Sequence, residues 1–106
     1  MTKDNLKFVQ GQELSISELR VTQNNGSIEI EMNVECAQKL FAMKFYNAAN
    51  IRIQAMSNPL VIEGFELVDN KSRQWDRTSR YTVSDFETDS IEFVCEDFDI
   101  AEVIIG

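Results

Sequence analysis

The chain has no histidine, one proline, two cysteines and four glycines in 106 residues. Without histidine there is no Ser–His or Cys–His pair and no imidazole general base, and most zinc sites are excluded. Gly11, Gly26, Gly64 and Gly106 stand isolated, so no glycine-rich loop is present to cradle a phosphate. Long apolar runs are missing too. The longest comparable stretch, Ala101 to Ile105, is interrupted by Glu102 and falls well short of the ~18 residues of a membrane span. Met1-Thr2-Lys3-Asp4-Asn5 lacks the basic head and apolar run of a secretory signal, which points to a cytoplasmic chain. Cys36 and Cys95 each fall in a strand-like segment. A disulfide between them is one reading, but a reduced pair of small buried hydrophobes suits a cytoplasmic chain better. A catalytic thiol would lack an activating base, and acids crowd Cys95.

What is present is a globular composition, 43% hydrophobic and 26% charged in 12.2 kDa, which bounds the chain to one domain over residues 1–106. Ile28, Ile30, Met32 and Val34 alternate with Glu29, Glu31 and Asn33, the period of a strand with one buried and one wet face. Leu14-Ser15-Ile16 and Leu19-Arg20-Val21 alternate as well, with a phase slip at Ser17-Glu18 that predicts a β-bulge or two short strands. Asn24-Asn25-Gly26 tolerates positive φ and predicts a hairpin between them.

Residues 36–49 carry two patterns. Ala37, Phe41, Phe45 and Ala48 fit one face of a short helix, whereas Phe41, Met43 and Phe45 fit one face of a strand. The strand is preferred because strands flank it on both sides. Leu60-Val61-Ile62 and Phe65-Glu66-Leu67-Val68 flank Gly64, which marks a bulge or a close backbone approach. Asp69 to Ser79 reads as a polar loop, and strands follow at Tyr81-Thr82-Val83 and Ile91 to Cys95, with Phe98 to Ile105 closing the sheet. Many short strands with regular turn signals predict an all-β fold, an antiparallel β-sandwich, with a small partly open β-barrel as the alternative.

Charge is unevenly placed. Residues 1–80 hold all ten basic residues and ten acids, so the net charge of −8 belongs entirely to residues 81–106. Such an anionic body is a poor nucleic-acid binder. The plain reading is that these acids cover the wet face of the last strands. The functional one is that Glu92, Glu96, Asp97 and Asp99 form a docking surface for a basic protein, since complementary charge speeds and selects association. Lys71, Arg73, Arg77 and Arg80 cluster around Trp75, which either folds back over the sheet or stands as an exposed interface anchor.

Asp85, Glu87 and Asp89, spaced i, i+2, i+4, would share one face of a straight strand and make the chain a small-ligand or divalent-cation binding module, although Glu87 to Ser90 also reads as a turn. Asp85 shares a face with Tyr81 and Val83, and Phe86 shares the other with Thr82 and Ser84, so one of the two must sit against type. A buried Asp85 needs Arg80 or backbone N–H donors. A carboxylate-pair hydrolase is disfavoured by the small size, and no cofactor is called for. Free sheet edges would also allow a homodimer by strand pairing.

Several segments together carry a resemblance. They are Phe45-Tyr46-Asn47 with Ile51-Arg52-Ile53, Ile62-Glu63-Gly64-Phe65-Glu66-Leu67-Val68-Asp69, Trp75, Arg80 to Glu87, and Ile91 to Phe98. This succession resembles small bacterial all-β proteins grouped with the immunity proteins encoded beside polymorphic toxins. Those tend to show a GFE-like strand, a tryptophan in the next loop, a V-x-D-[FY]-E strand and an I-x-F-x-C strand. The likeness covers about half the chain. It departs at Gln74, where many members have a glycine before the tryptophan. It implies a cytoplasmic, non-enzymatic protein that binds and neutralises a toxin domain, and it supplies no binding residues.

Overall fold

The structure is a computed structural model, and it describes residues 2–54, 60–70 and 80–104. Among the described residues one helix precedes nine strands: α1 (Thr2–Val9), β1 (Leu14–Asn24), β2 (Ser27–Cys36), β3 (Lys39–Tyr46), β4 (Ala49–Ile53), β5 (Leu60–Ile62), β6 (Phe65–Asp69), β7 (Tyr81–Asp85), β8 (Ile91–Cys95) and β9 (Asp97–Val103). The strands form two antiparallel sheets, ordered β5-β1-β2-β3-β9 and β4-β8-β7-β6. The all-β sandwich expected from the alternation is therefore what forms. Among the described residues the two sheets share no paired strand, and they do not close into a barrel. No helix among the described residues is long and apolar enough to cross a membrane.

The bulge forms where the phase slips: pairing of β1 with β2 shifts register between Ile16 and Glu18, leaving Ser17 as the extra residue. The first hairpin closes through Asn25 (φ 52°) and Gly26 (φ 81°), the two left-handed residues of a type I′ turn. The second is less ordinary. Cys36 pairs with Lys39 across Ala37 (φ 51°) and Gln38 (φ 69°), neither of which favours that region. Residues 39–46 are strand, not helix, and Phe41, Met43 and Phe45 are buried together as the strand period requires. Replacing Ala37-Gln38 by Asn-Gly relieves both left-handed penalties. We expect this double variant to be more stable by ~1–2 kcal/mol in urea unfolding, with an unchanged m-value.

The core lies between the sheets and is built on Phe41, Phe45, Phe65 and Phe93 with Leu14, Ile30, Met32, Met43, Ile62, Ile91 and Ile100, all 0–1% exposed except Met43 at 2%. Phe45 of one sheet meets Phe93 of the other edge-on at 5.0 Å between centroids. Cys36 and Cys95 are both free and buried.

The helix is the element that alternation did not reveal. At eight residues it is too short to stand alone, and packing holds it. Val9 is fully buried, Phe8 stacks on Phe41 at 5.6 Å, and Asn5 Nδ2 donates to the Ile100 carbonyl at 2.9 Å. Its trailing segment runs along β6. Gly11 N–H donates to Phe65 O, Phe65 N–H donates to Gln12 O, and the Gln10 side-chain amide exchanges two bonds with the Leu67 backbone. The Gln10 amide thus stands in for a strand residue at the β6 edge.

Candidate functional site

β7 ends at Asp85, which is wholly buried, while Phe86 is 53% exposed. The conflict between these neighbours is resolved in favour of the carboxylate, because six donors reach it. Oδ1 accepts the N–H groups of Gly64 (3.0 Å), Glu87 (3.0 Å) and Thr88 (3.2 Å). Oδ2 accepts Glu63 N–H (3.2 Å), Thr88 Oγ1 (2.5 Å) and Ser90 Oγ (2.6 Å). Burial alone would push its pKa up, but the Ser90 and Thr88 hydroxyls and the backbone N–H groups of Thr88 and Glu87 outweigh it and hold the carboxyl far below the ordinary range. Four backbone N–H groups and two hydroxyls, not Arg80, satisfy it.

Gly64 is what lets the two segments meet. A Cβ there would sit 2.7 Å from Glu87 Cγ and 2.8 Å from the Phe86 ring. Of the two readings of this glycine, close backbone approach is the one that applies. Asp85 thereby ties the β5–β6 crossover between the sheets to the β7–β8 turn.

Asp85, Glu87 and Asp89 do not share a face, because the strand ends before Glu87. Asp85 points inward and is saturated. Glu87 is exposed, and Asp89, at φ 59°, lies 3.6 Å from Arg52. Among the described residues no three His, Cys, Asp or Glu side chains are placed to hold a metal ion. The thiols are equally unsuited to chemistry: burial raises the Cys36 pKa, and burial with the Asp97 charge pushes Cys95 up to about 12.

The late acids divide between the sheets. Glu92, on β8, bonds to Arg52 on β4 at 2.9 Å. Glu96 sits where the chain crosses from β8 to β9. Its N–H donates to Tyr46 O, and its Oε2 accepts from Asn47 Nδ2 at 3.0 Å. Glu96, Asp97 and Asp99 come together with Tyr46, Arg80, Tyr81 and Phe98 around a groove of about 770 Å³. Tyr81 and Phe98 meet edge-on at 5.0 Å. The Arg80 guanidinium stacks over Tyr81 at 5.2 Å and lies 3.6 Å from Asp69, and burial raises the Tyr81 pKa against the pull of Arg80. Among the described residues lining the groove are thus three carboxylates and one guanidinium, beside aromatic rings. Carboxylates and aromatic faces together suit a guanidinium or ammonium group.

Arg73, Trp75 and Arg77 lie outside the described residues. Among the described neighbours, Asn70 N–H donates to Arg80 O at 2.6 Å, and Asn70 Nδ2 donates to Thr82 Oγ1 at 2.7 Å. Tyr46 and Phe98 were not singled out by sequence reasoning. The available signal was Tyr46 on the wet face of an alternating strand, a place where an aromatic has no core to fill. Comparison of the chain with family models, with curated proteins and with solved structures finds no match.

Proposed function

We propose that this chain is a non-enzymatic protein-binding domain of the immunity type, which neutralises a basic toxin domain from within the cytoplasm. The observation that carries this reading is the groove that gathers Glu96, Asp97 and Asp99 with Tyr46, Tyr81 and Phe98. Nucleic-acid-degrading toxins need basic surfaces to hold phosphate. An anionic groove competes for those surfaces as a phosphate mimic, with an arginine or lysine of the partner lying between carboxylates and rings. Arg73, Trp75 and Arg77 are the residues we assign to a second contact, on the chemistry of an aromatic flanked by arginines. Glu92, held by Arg52 on the other sheet, contributes to the long-range field.

The test is calorimetry against the protein products of the neighbouring genes, at 50 and 300 mM salt. Glu96→Gln and Asp97→Asn are each expected to weaken binding at least ~10-fold, about 1.4 kcal/mol, and to flatten its salt dependence. Glu35→Gln, an exposed change on β2, leaves affinity unchanged. Absence of binding, or binding indifferent to salt and to both groove variants, rejects the proposal.

A further inference from the structure

We infer that Asn25, in the turn between β1 and β2, is a site of spontaneous modification, where the side-chain amide is lost through a five-membered imide to give aspartate and isoaspartate. The chemistry needs an asparagine, a following backbone nitrogen that no side chain shields, and a backbone able to bring the two into contact. Of the eight asparagines in the chain, only Asn25 is followed by glycine. The others precede residues that carry a Cβ, and the Pro59 nitrogen after Asn58 has no proton to lose. Several amides are also tied down: Nδ2 of Asn5 donates to Ile100 O, that of Asn33 to Glu18, that of Asn47 to Glu96 and that of Asn70 to Thr82.

Asn25 and Gly26 are both exposed, and a Cβ built at Gly26 would meet nothing within 4 Å, so the approach to its nitrogen is open. The bonds that close the turn belong to its paired ends, Asn24 and Ser27, which leaves the Gly26 N–H outside them. In the type I′ turn that the two positive φ angles define, the ψ of Asn25 is about +30°. Its Cβ then lies on the far side of the Cα–C bond from the Gly26 nitrogen. Rotation of the single peptide between the two residues converts I′ into II′, the other two-residue turn that suits a hairpin. Asn25 keeps its positive φ, its ψ moves to about −120°, and Cβ comes to eclipse the nitrogen, the arrangement that closes a five-membered ring. Gly26 meanwhile crosses from positive to negative φ, which glycine does at no steric cost. The strands need not part. The II′ form is the minor one, because its first position disfavours a residue with a Cβ, so the fold slows the reaction without abolishing it.

The Gly26 nitrogen gives its proton to hydroxide and attacks Asn25 Cγ. The new N–C bond forms, the Cγ–Nδ2 bond breaks, and ammonia leaves. Water then opens the imide. Addition at Cγ gives aspartate, and addition at the main-chain carbonyl gives isoaspartate, whose backbone runs through Cβ and Cγ. Either product adds a negative charge to a chain already at −8. Isoaspartate also lengthens the main chain of a two-residue turn by one carbon, so Asn24 and Ser27 lose the geometry that sets the β1–β2 register.

Incubation of the full chain in warm, mildly alkaline buffer, followed by mass spectrometry, tests this. The expected result is a gain of about one mass unit, NH₂ exchanged for OH, which fragmentation places at Asn25 and which forms there at least ~10-fold faster than at any other asparagine. The folded chain should react no more than ~100-fold more slowly than the chain in concentrated urea, whereas a site that reacted only after global unfolding would be protected by ~10³-fold or more. Gly26→Ala, compared with the parent in urea so that folding plays no part, should react at least ~10-fold more slowly, because its methyl group shields the nitrogen. Gain at another asparagine at an equal rate, protection beyond ~100-fold in the folded chain, or a Gly26→Ala rate equal to the parent's overturns the inference.

Discussion

Asp85→Ala is expected to unfold about 12–20 °C below the parent chain, a loss of ~3–5 kcal/mol. The removed carboxylate is the acceptor for six hydrogen bonds from Glu63, Gly64, Glu87, Thr88 and Ser90. Truncation leaves buried N–H groups without partners, and each such orphan costs ~1–3 kcal/mol where water cannot reach it. Asp85→Asn is gentler. Its amide NH₂, placed on the Oδ2 side, can donate to the Thr88 and Ser90 hydroxyls once these rotate to accept, which sacrifices mainly the 3.2 Å bond from Glu63. We expect ~1–2 kcal/mol for this variant.

Proton linkage gives the same site a second readout. The folded carboxyl has a pKa below its ordinary value of 3.8, so the folded state binds fewer protons there than the unfolded chain. Its contribution to stability is therefore complete above that ordinary value and declines as pH falls below it. Urea unfolding of the parent between pH 5 and pH 2.5 should show the decline. In Asp85→Asn this part of the pH dependence should be missing. Equal slopes for the two chains would mean that Asp85 is not the buried acceptor described.

Phe93→Ala is expected to cost ~3–5 kcal/mol, and Phe45→Ala a similar amount. Both rings are fully buried, and they touch edge-on across the two sheets at 5.0 Å. Each truncation removes a large apolar area and leaves a cavity that the neighbouring strands cannot close. The double variant should lose less than the sum by ~0.5–1.5 kcal/mol, the portion belonging to the ring pair itself. A single cooperative transition in each variant is part of the expectation. If the sheets melted separately, the two rings would not couple.

The strands were legible because most of them have one dry and one wet face, and a period of two survives in Ile28 to Val34 and in Phe41 to Phe45. Even the bulge at Ser17 announced itself as a slip in phase. The β2–β3 turn did not, because Ala37 and Gln38 hold positive φ without the residues that usually mark it, and a helical pattern competed there. The helix at Thr2–Val9 was invisible because, among its described side chains, only Leu6 and Val9 join the core while Phe8 packs at its margin, too few positions to define a period. Asp85 was readable as a conflict with Phe86 but not as a solution, since Glu63 and Gly64 donate from 22 and 21 positions away. The groove needed topology. Tyr46, Tyr81 and Phe98 come from three strands that only the fold makes neighbours, and Glu92, adjacent in sequence to the other acids, belongs to the opposite sheet.

The bond from Asn5 to Ile100 joins positions 95 apart, and the β3–β9 pairing, Leu40 with Val103 to Tyr46 with Asp97, also closes over a long stretch of chain. During synthesis, neither α1 nor the outer flank of β3 can find its final neighbour until residue 100 has cleared the ribosome. At elongation rates of ~5–20 residues per second, the amphipathic amino-terminal segment waits several seconds beside an incomplete sheet. Such long-range closure also slows folding of the released polypeptide. A cell making this protein thus holds a brief population of nascent chains whose β3 flank is bare, which is where a chaperone would be expected to bind first.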